Sequence, residues 1–397
     1  MVDRNLRVRM VNDKFKHVLD PLPVKTMRLR NRLVYPPIGT GFATPDGFVT
    51  GGLVNYYAAR AVHVGMTTVE FTIVRQRGGV LPNQVSIYDD KFIPGLAKLA
   101  AAIKAKGSAA VLQIVDCGAR VGTCGAVGEP LAPSKIPAGV IGLNESIEMT
   151  VSQIKELVEA FAEGARRTCE AGFDAVEIHG AHMYLISQFL SGFTNKRSDE
   201  YGGSLENRAR FLLEIIAAIK KCVPDDYPLV VRINGKEPLD GGLTIEESQR
   251  IAQLLEKAGC DIISVSRIIR KQEVKSETGQ SIQWLTAVPP KEAEEGCNVF
   301  LAEAIKKVVT IPVMTTGKIL SLELAERILS ERKADLIGMA RQLIVDPDTP
   351  VKEIEGRTSE IRRCKEDFLC LTSMGSGKPI KCSVNKALPP ENISTPL

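Results

Sequence analysis

The sequence predicts an α/β protein of the (β/α)8 TIM-barrel class with a short cysteine-containing C-terminal appendage, and three observations carry that prediction. Eight short, almost continuously apolar runs recur along the 397 residues, the pattern of parallel strands covered on both faces. Segments with helical periodicity separate them. No GxGxxG follows any run, so the dinucleotide fingerprint of the competing fold, a doubly wound open sheet, is missing.

The runs, in order, are LVYPP, TTVEF, AAVLQIV, AVEIHG, LVVRIN, DIISVS, PVMTTG and DLIGMA. They are rich in β-branched residues and end in small or polar ones. The helical segments expected between and after them are 54–63, 93–106, 150–171, 204–222, 244–258, 299–307 and 320–331. Residues 1–360 are assigned to the barrel and 361–397 to the appendage. The longest polar connection, 268–298, follows the sixth run and holds the only tryptophan, Trp284. Loops after barrel strands form the active face, so this one is expected to be a lid or substrate wall.

Composition narrows the class of partner. Formal charge is +4 from 51 basic and 47 acidic residues, with no long run of either sign, which argues against nucleic acid and anionic membrane surfaces. The N-terminus lacks an apolar run after its basic residues, and no stretch reaches the roughly 18 apolar residues of a spanning helix. The expectation is a cytoplasmic protein acting on a small molecule. Nine cysteines without an export signal favour thiol or metal chemistry over structural disulfides.

Two of the four histidines, His179 and His182, sit three residues apart at the end of the fourth run, with Tyr184 beyond them. That strand end is where such barrels place their chemistry. Two imidazoles there can donate hydrogen bonds to an oxygen on which charge builds, and a tyrosine hydroxyl can supply a proton. The competing readings are a metal pair and a satisfied core histidine. A zinc site needs a third ligand, and Glu177 is expected to point to the other side of the strand.

The stretch HGAHMYLISQFLSGFTNKRSDEYGGSLENRARFLLEI resembles the signature of the Old Yellow Enzyme family, the FMN-dependent ene-reductases. The resemblance extends from NRLVYPPIG to GMARQLIVDP. It implies that His179 and His182 bind the activating oxygen of a substrate with an activated double bond. It implies further that Tyr184 protonates the neighbouring carbon and that hydride comes from reduced FMN. The remaining signature residues, Asn195, Arg197, Asp199, Tyr201, the Gly202–Gly203 turn, Ser204, Glu206, Asn207 and Arg208, suit a loop scaffold, with Ser204 a natural N-cap.

By the same resemblance, Pro36, Pro37, Ile38 and Gly39 lay backbone against the isoalloxazine ring. Gln113 meets its pyrimidine edge, and Arg232 is the cation near N1 and O2. Gly317, Met339, Ala340 and Arg341 hold the phosphate. Two departures stand out. Gly39 replaces a threonine or cysteine common beside the flavin, and the family's Q-L-x-H-x-G-R appears as Gln113 to Ala119 with Asp116 in place of histidine. Asp116 at the cleft edge is expected to repel anions or pair with a cation.

The appendage, RRCKEDFLCLTSMGSGKPIKCSVN, resembles the iron-sulfur segment of the 2,4-dienoyl-CoA reductase and trimethylamine dehydrogenase branch, roughly C-x2-C-x3-C-x11-C. Cys364, Cys370 and Cys382 keep three thiolates and Asp367 takes the fourth place. The resemblance implies a [4Fe-4S] cluster relaying electrons from a donor protein, against an alternative of three thiols without metal. Cys117, Cys124, Cys169, Cys222, Cys260 and Cys297 mostly read as small core residues. NAD(P)H reaching the flavin directly is the other electron source. A noncatalytic flavin-barrel subunit that transfers electrons or assembles a complex is the alternative to an enzyme, and oligomeric state is left open.

Overall fold

The structure is a computed structural model and describes residues 14–270, 274–275, 281–282 and 285–397. The eight runs form eight strands: β1 Leu33–Tyr35, β2 Met66–Ile73, β3 Ala109–Val115, β4 Ala175–Gly180, β5 Leu229–Asn234, β6 Ile262–Ser266, β7 Val313–Thr316 and β8 Leu336–Gly338. They close a barrel in the order β6-β7-β8-β1-β2-β3-β4-β5. The seven expected helices are α1 Gly51–Ala61, α2 Ile93–Lys104, α3 Val151–Glu170, α4 Leu205–Cys222, α5 Ile245–Ala258, α6 Val299–Lys306 and α7 Leu322–Ser330. Two short helices, α8 Arg341–Val345 and α9 Thr349–Ile354, follow β8, and α10 Leu369–Gly375 lies in the appendage.

Side-chain oxygens cap the helices. Thr50, Thr150, Ser204, Thr244 and Ser321 each accept a hydrogen bond from the amide three residues on. Each such cap contributes about 0.5–2 kcal/mol. Thr150 with Gln153 and Thr244 with Glu247 complete reciprocal capping boxes, which set where α3 and α5 begin.

Every strand contributes, through Val34, Met66, Ala109, Val111, Ala175, Val230, Ile262, Met314 and Leu336, to a cluster at the barrel's closed end with Val24, Met27 and Leu29. Those three belong to an antiparallel hairpin, Leu22–Val24 with Met27–Leu29, which plugs the barrel. Strand side chains alternate, so residues two positions further on share the interior. That step brings Gln113, Glu177, Arg232 and Thr316 into the next layer, and a second step brings His179 and Ser266 to the mouth. The expectation for Glu177 is therefore corrected: as residue i to His179 at i+2 it faces inward, fully buried, and accepts a hydrogen bond from Gln113 Nε2.

The signature loop after β4 is scaffold, as expected. Asn195 Nδ2 donates to the carbonyls of Phe189 and Tyr201, Arg197 pairs with Asp199, and Arg208 pairs with Glu247 on α5. The appendage is tied to the barrel mouth. The Ile380 amide donates to Thr40 O at 2.9 Å, the Cys364 amide to Gln342 Oε1 at 3.1 Å, and Gly52 and Leu397 bond to Asn392 O and Val49 O. Among the described residues no helix is long and apolar enough to cross a membrane.

Candidate active site

His179 ends β4, and the chain turns after it through two residues of left-handed backbone, His182 (φ 62°) and Met183 (φ 55°). Side chains rarely adopt this conformation, and it persists only where neighbours enforce it. Here the His182 amide donates to Asn234 Oδ1 at 3.2 Å, and His182 Nε2 lies 2.8 Å from Ser266 Oγ. The turn folds three rings together: His179 lies 4.9 Å from His182 and 4.8 Å from Tyr184, centroid to centroid. Phe71, from β2, stacks on Tyr184 at 5.6 Å.

Hydrogen bonding sets the state of the His179 ring. The Ala181 amide donates to Nδ1 at 3.2 Å, so Nδ1 is the acceptor and the ring proton resides on Nε2. Burial, then the charges of Arg232 and Arg120, holds His179 well below the usual 6.5. His182 is lowered by burial first, then by His179 and the same two arginines. Both are neutral N–H donors at neutral pH. Burial raises the Tyr184 hydroxyl, with Arg120 opposing, so it keeps its proton until a base appears.

These rings face a cleft lined by Pro36, Pro37, Ile38, Gly39, Gln113, Arg232, Gly317, Ala340 and Arg341. All but one of the residues expected to hold the flavin are therefore together. The exception is Met339, whose amide donates to Val34 O in the barrel ladder and whose side chain is fully buried between sheet and helices. Several polar atoms of this lining are buried without a partner: Gln113 Oε1, Arg232 Nε and NH1, and Arg341 NH2. Such atoms are costly unless a ligand satisfies them. A planar acceptor-rich ring with a phosphate fits that set. Gly317 has a φ of 123°, and an added Cβ would meet Asn298 at 2.6 Å, so backbone alone fits there.

Gly39 has a steric reason. A Cβ built on it would lie 2.7 Å from the Phe71 ring and 3.0 Å from Met374 Sδ. Phe71, Val80, Leu81 and Cys124 form one apolar side of the cleft, and Leu371, Met374 and Ile380 of the appendage another. Of the segment 268–298, Thr286 to Pro289 line the cleft; Trp284 lies outside the described residues.

Asp116 does not reach the cleft. It is buried, its carboxylate lies 2.7 Å from Arg75 Nε, and it accepts from the Gly118 amide at 2.9 Å. Its charge is satisfied inside the protein by Arg75. Sequence reasoning missed Arg120, which enters the cleft one position after the arginine lost at Ala119, and Lys318, next to Gly317. Their signal was adjacency to a matched motif position, which a strict register discards.

The [4Fe-4S] expectation finds no support among the described residues. Cys364, Asp367, Cys370 and Cys382 do line one small cavity behind Arg341. Yet among the described residues no group of three or more His, Cys, Asp or Glu is close enough to hold a metal ion. Asp367 is engaged locally: its carboxylate accepts from the Leu369 amide at 3.2 Å, and the neighbouring Ser383 holds it below the usual carboxylate range. Burial raises the Cys364 thiol and pushes Cys370 up to about 11, so both carry protons at neutral pH. Of the other six cysteines, Cys117, Cys124 and Cys260 are buried and Cys222 is exposed.

The model of the NADH:flavin oxidoreductase / NADH oxidase family matches residues 17–360. The chain belongs to this family. It is 41% identical over 339 residues to an NADH oxidase of Thermoanaerobacter brockii, covering 85% of this chain and 50% of that protein. It is 32% identical over 397 aligned positions to a cinnamate reductase of Clostridium sporogenes, covering 95% and 58%. The solved 2-naphthoyl-CoA reductase in complex with 2-naphthoyl-CoA superposes with a TM-score of 0.86 at 30% identity, covering 94% of this chain and 58% of that one. The chain thus spans about half the length of the first of these relatives. The family is one of flavin oxidoreductases, and the unpaired polar lining of the cleft is compatible with such a ligand.

Proposed function

We propose that this protein is an FMN-dependent reductase of activated C=C bonds that draws its hydride from NAD(P)H. The observation that carries the proposal is the convergence of two neutral histidine donors and a protonated tyrosine on one cleft whose floor is Gln113 and Arg232. Bound FMN supplies a hydride acceptor and donor there. His179 and His182 donate to the oxygen that activates the double bond and stabilise the negative charge that gathers on it as the far carbon is reduced. Tyr184 delivers the proton to the carbon beside that oxygen-bearing group. Arg232 would supply a fixed cation for the negative charge of the reduced ring, and the apolar sides exclude water from the reacting carbons. Gly317, Ala340, Arg341 and Lys318 are the residues proposed for the phosphate.

The relatives support this reading: one is a reductase of an unsaturated acid and another an NADH oxidase. A nicotinamide is the proposed donor, in line with the NADH oxidase among the relatives. The test is an anaerobic titration of the flavin-loaded protein. NADH or NADPH should bleach the flavin band, and an unsaturated acid or aldehyde should restore it with a saturated product. Bleaching without reoxidation by any such acceptor would instead point to an electron-transfer subunit.

A further inference from the structure

His182 is gripped at three points. Its amide donates to Asn234 Oδ1 at 3.2 Å, its carbonyl accepts from Arg120 at 3.1 Å, and its ring nitrogen Nε2 lies 2.8 Å from Ser266 Oγ. His179 is held at the other ring nitrogen: the Ala181 amide bonds to Nδ1, which leaves Nε2 for a ligand in the cleft. In His182 the fold occupies Nε2, so Nδ1 is the nitrogen left for a ligand.

Ser266 is the last residue of β6, buried, and among the residues lining the cleft. It stands opposite Asn234 in the β5–β6 ladder, and its carbonyl accepts from the Gly235 amide at 2.7 Å. The ends of two neighbouring strands thus hold the histidine together, one by its amide and one by its ring. Asn234 is fixed in turn, because its Nδ2 donates to Ser187 Oγ at 3.1 Å and to Glu237 Oε1 at 3.0 Å. Its Oδ1 is thereby kept for His182.

A neutral imidazole carries one ring proton, so the contact between Nε2 and Oγ can run in either direction. Among the described residues Ser266 Oγ has no second hydrogen-bond partner. If Oγ accepted from Nε2, its own proton would be buried without an acceptor, which is costly. If it donates, both groups are satisfied. We propose that Ser266 is a positioning residue of the oxygen site, its hydroxyl donating to His182 Nε2 and so keeping the ring proton on Nδ1, where a substrate oxygen can meet it. The inference rests on the reading of His182 as an oxygen donor and names the group that makes it one. The two histidines are then opposite tautomers, His179 with its proton on Nε2 and His182 with its proton on Nδ1, each set by a donor fixed in the fold.

The experiment reads the proton directly. NMR of the protein carrying nitrogen-labelled histidine, with His179→Gln and His182→Gln to assign the signals, shows which ring nitrogen bears hydrogen. Wild type should show His182 protonated on Nδ1 and His179 on Nε2. Ser266→Ala should move the His182 proton toward Nε2 and, in the flavin-loaded protein, weaken pentafluorophenolate by roughly 3- to 10-fold, read from the flavin spectrum. Ser266→Thr, which keeps a hydroxyl, should restore both. Wild type with the His182 proton on Nε2 would overturn the proposal without recourse to any Ser266 variant, and so would a His182 tautomer unchanged in Ser266→Ala. If wild type fails to bind pentafluorophenolate, the oxygen-site reading falls, and the tautomers still decide the role of Ser266.

Discussion

The Glu366 carboxylate lies 3.2 Å from the Lys318 ammonium. The same oxygen is 3.4 Å from Arg341 NH1, so a carboxylate of the C-terminal segment shares the two cations proposed for the flavin phosphate. Glu366 and Lys318 both have left-handed backbone, with φ of 55° and 54°, which shows how tightly this contact is enforced. Glu366→Gln leaves both cations to the phosphate. It is expected to tighten FMN binding about 3- to 10-fold, the equivalent of roughly 1 kcal/mol for one ion pair, with a smaller change for riboflavin. Flavin fluorescence titration at low salt measures both; equal shifts would mean that the loop had merely rearranged.

His179→Ala and His182→Ala should each weaken a phenolate that stacks on the flavin by about 1.5–3 kcal/mol, the contribution of one hydrogen bond to a charged oxygen. Tyr184→Phe should leave that affinity nearly unchanged and slow reoxidation of the reduced flavin by an alkene. Stopped-flow absorbance separates the two effects. Normal phenolate binding by both histidine variants would remove them from the oxygen site.

Gly39→Cys restores the side chain common in the family, and the Phe71 ring stands in its way at 2.7 Å. The single variant is expected to lose about 1–3 kcal/mol through overpacking. Phe71→Ala in the same chain should recover most of that loss. Urea unfolding of the two single variants and the double variant gives the coupling, and additive losses would show that the two positions are independent.

Opposite groups set the acid and alkaline limits of stability. His179 and His182 are held well below 6.5, so below that pH the unfolded chain binds more protons than the folded one. Their contribution is complete above 6.5 and lost as pH falls toward the folded values. Glu70 has the reverse sign. Burial lifts it from 4.5 to about 8, so the folded chain holds the extra proton, and stability is full below 4.5 and lost as pH rises through about 8. Glu70→Gln keeps an acceptor for the Thr40 amide and should flatten the decline from about pH 5 to 8 in urea midpoints. An unchanged slope would assign the decline elsewhere, with Glu177, raised to about 7, next in line.

The sequence by itself determined the barrel, because each of its strands is a largely apolar run and five of the seven expected helices carry their own side-chain cap. Those are local properties of the chain, and the eight runs became the eight strands in order. It also placed the His179, His182 and Tyr184 loop and most of the positions expected to hold the flavin at strand ends, which the barrel closure gathers around one cleft. Only the tertiary structure decided how charges pair across strands. Asp116 found Arg75, Glu177 turned inward to Gln113, and Glu366 reached Lys318 and Arg341; each partner is separated along the chain by an amount that no periodicity encodes. Spacing alone likewise does not decide what the cysteine segment binds. Metal binding requires side chains to converge on a point, and convergence is set by backbone turns such as those at Glu366 and Phe368 together with the local engagement of Asp367.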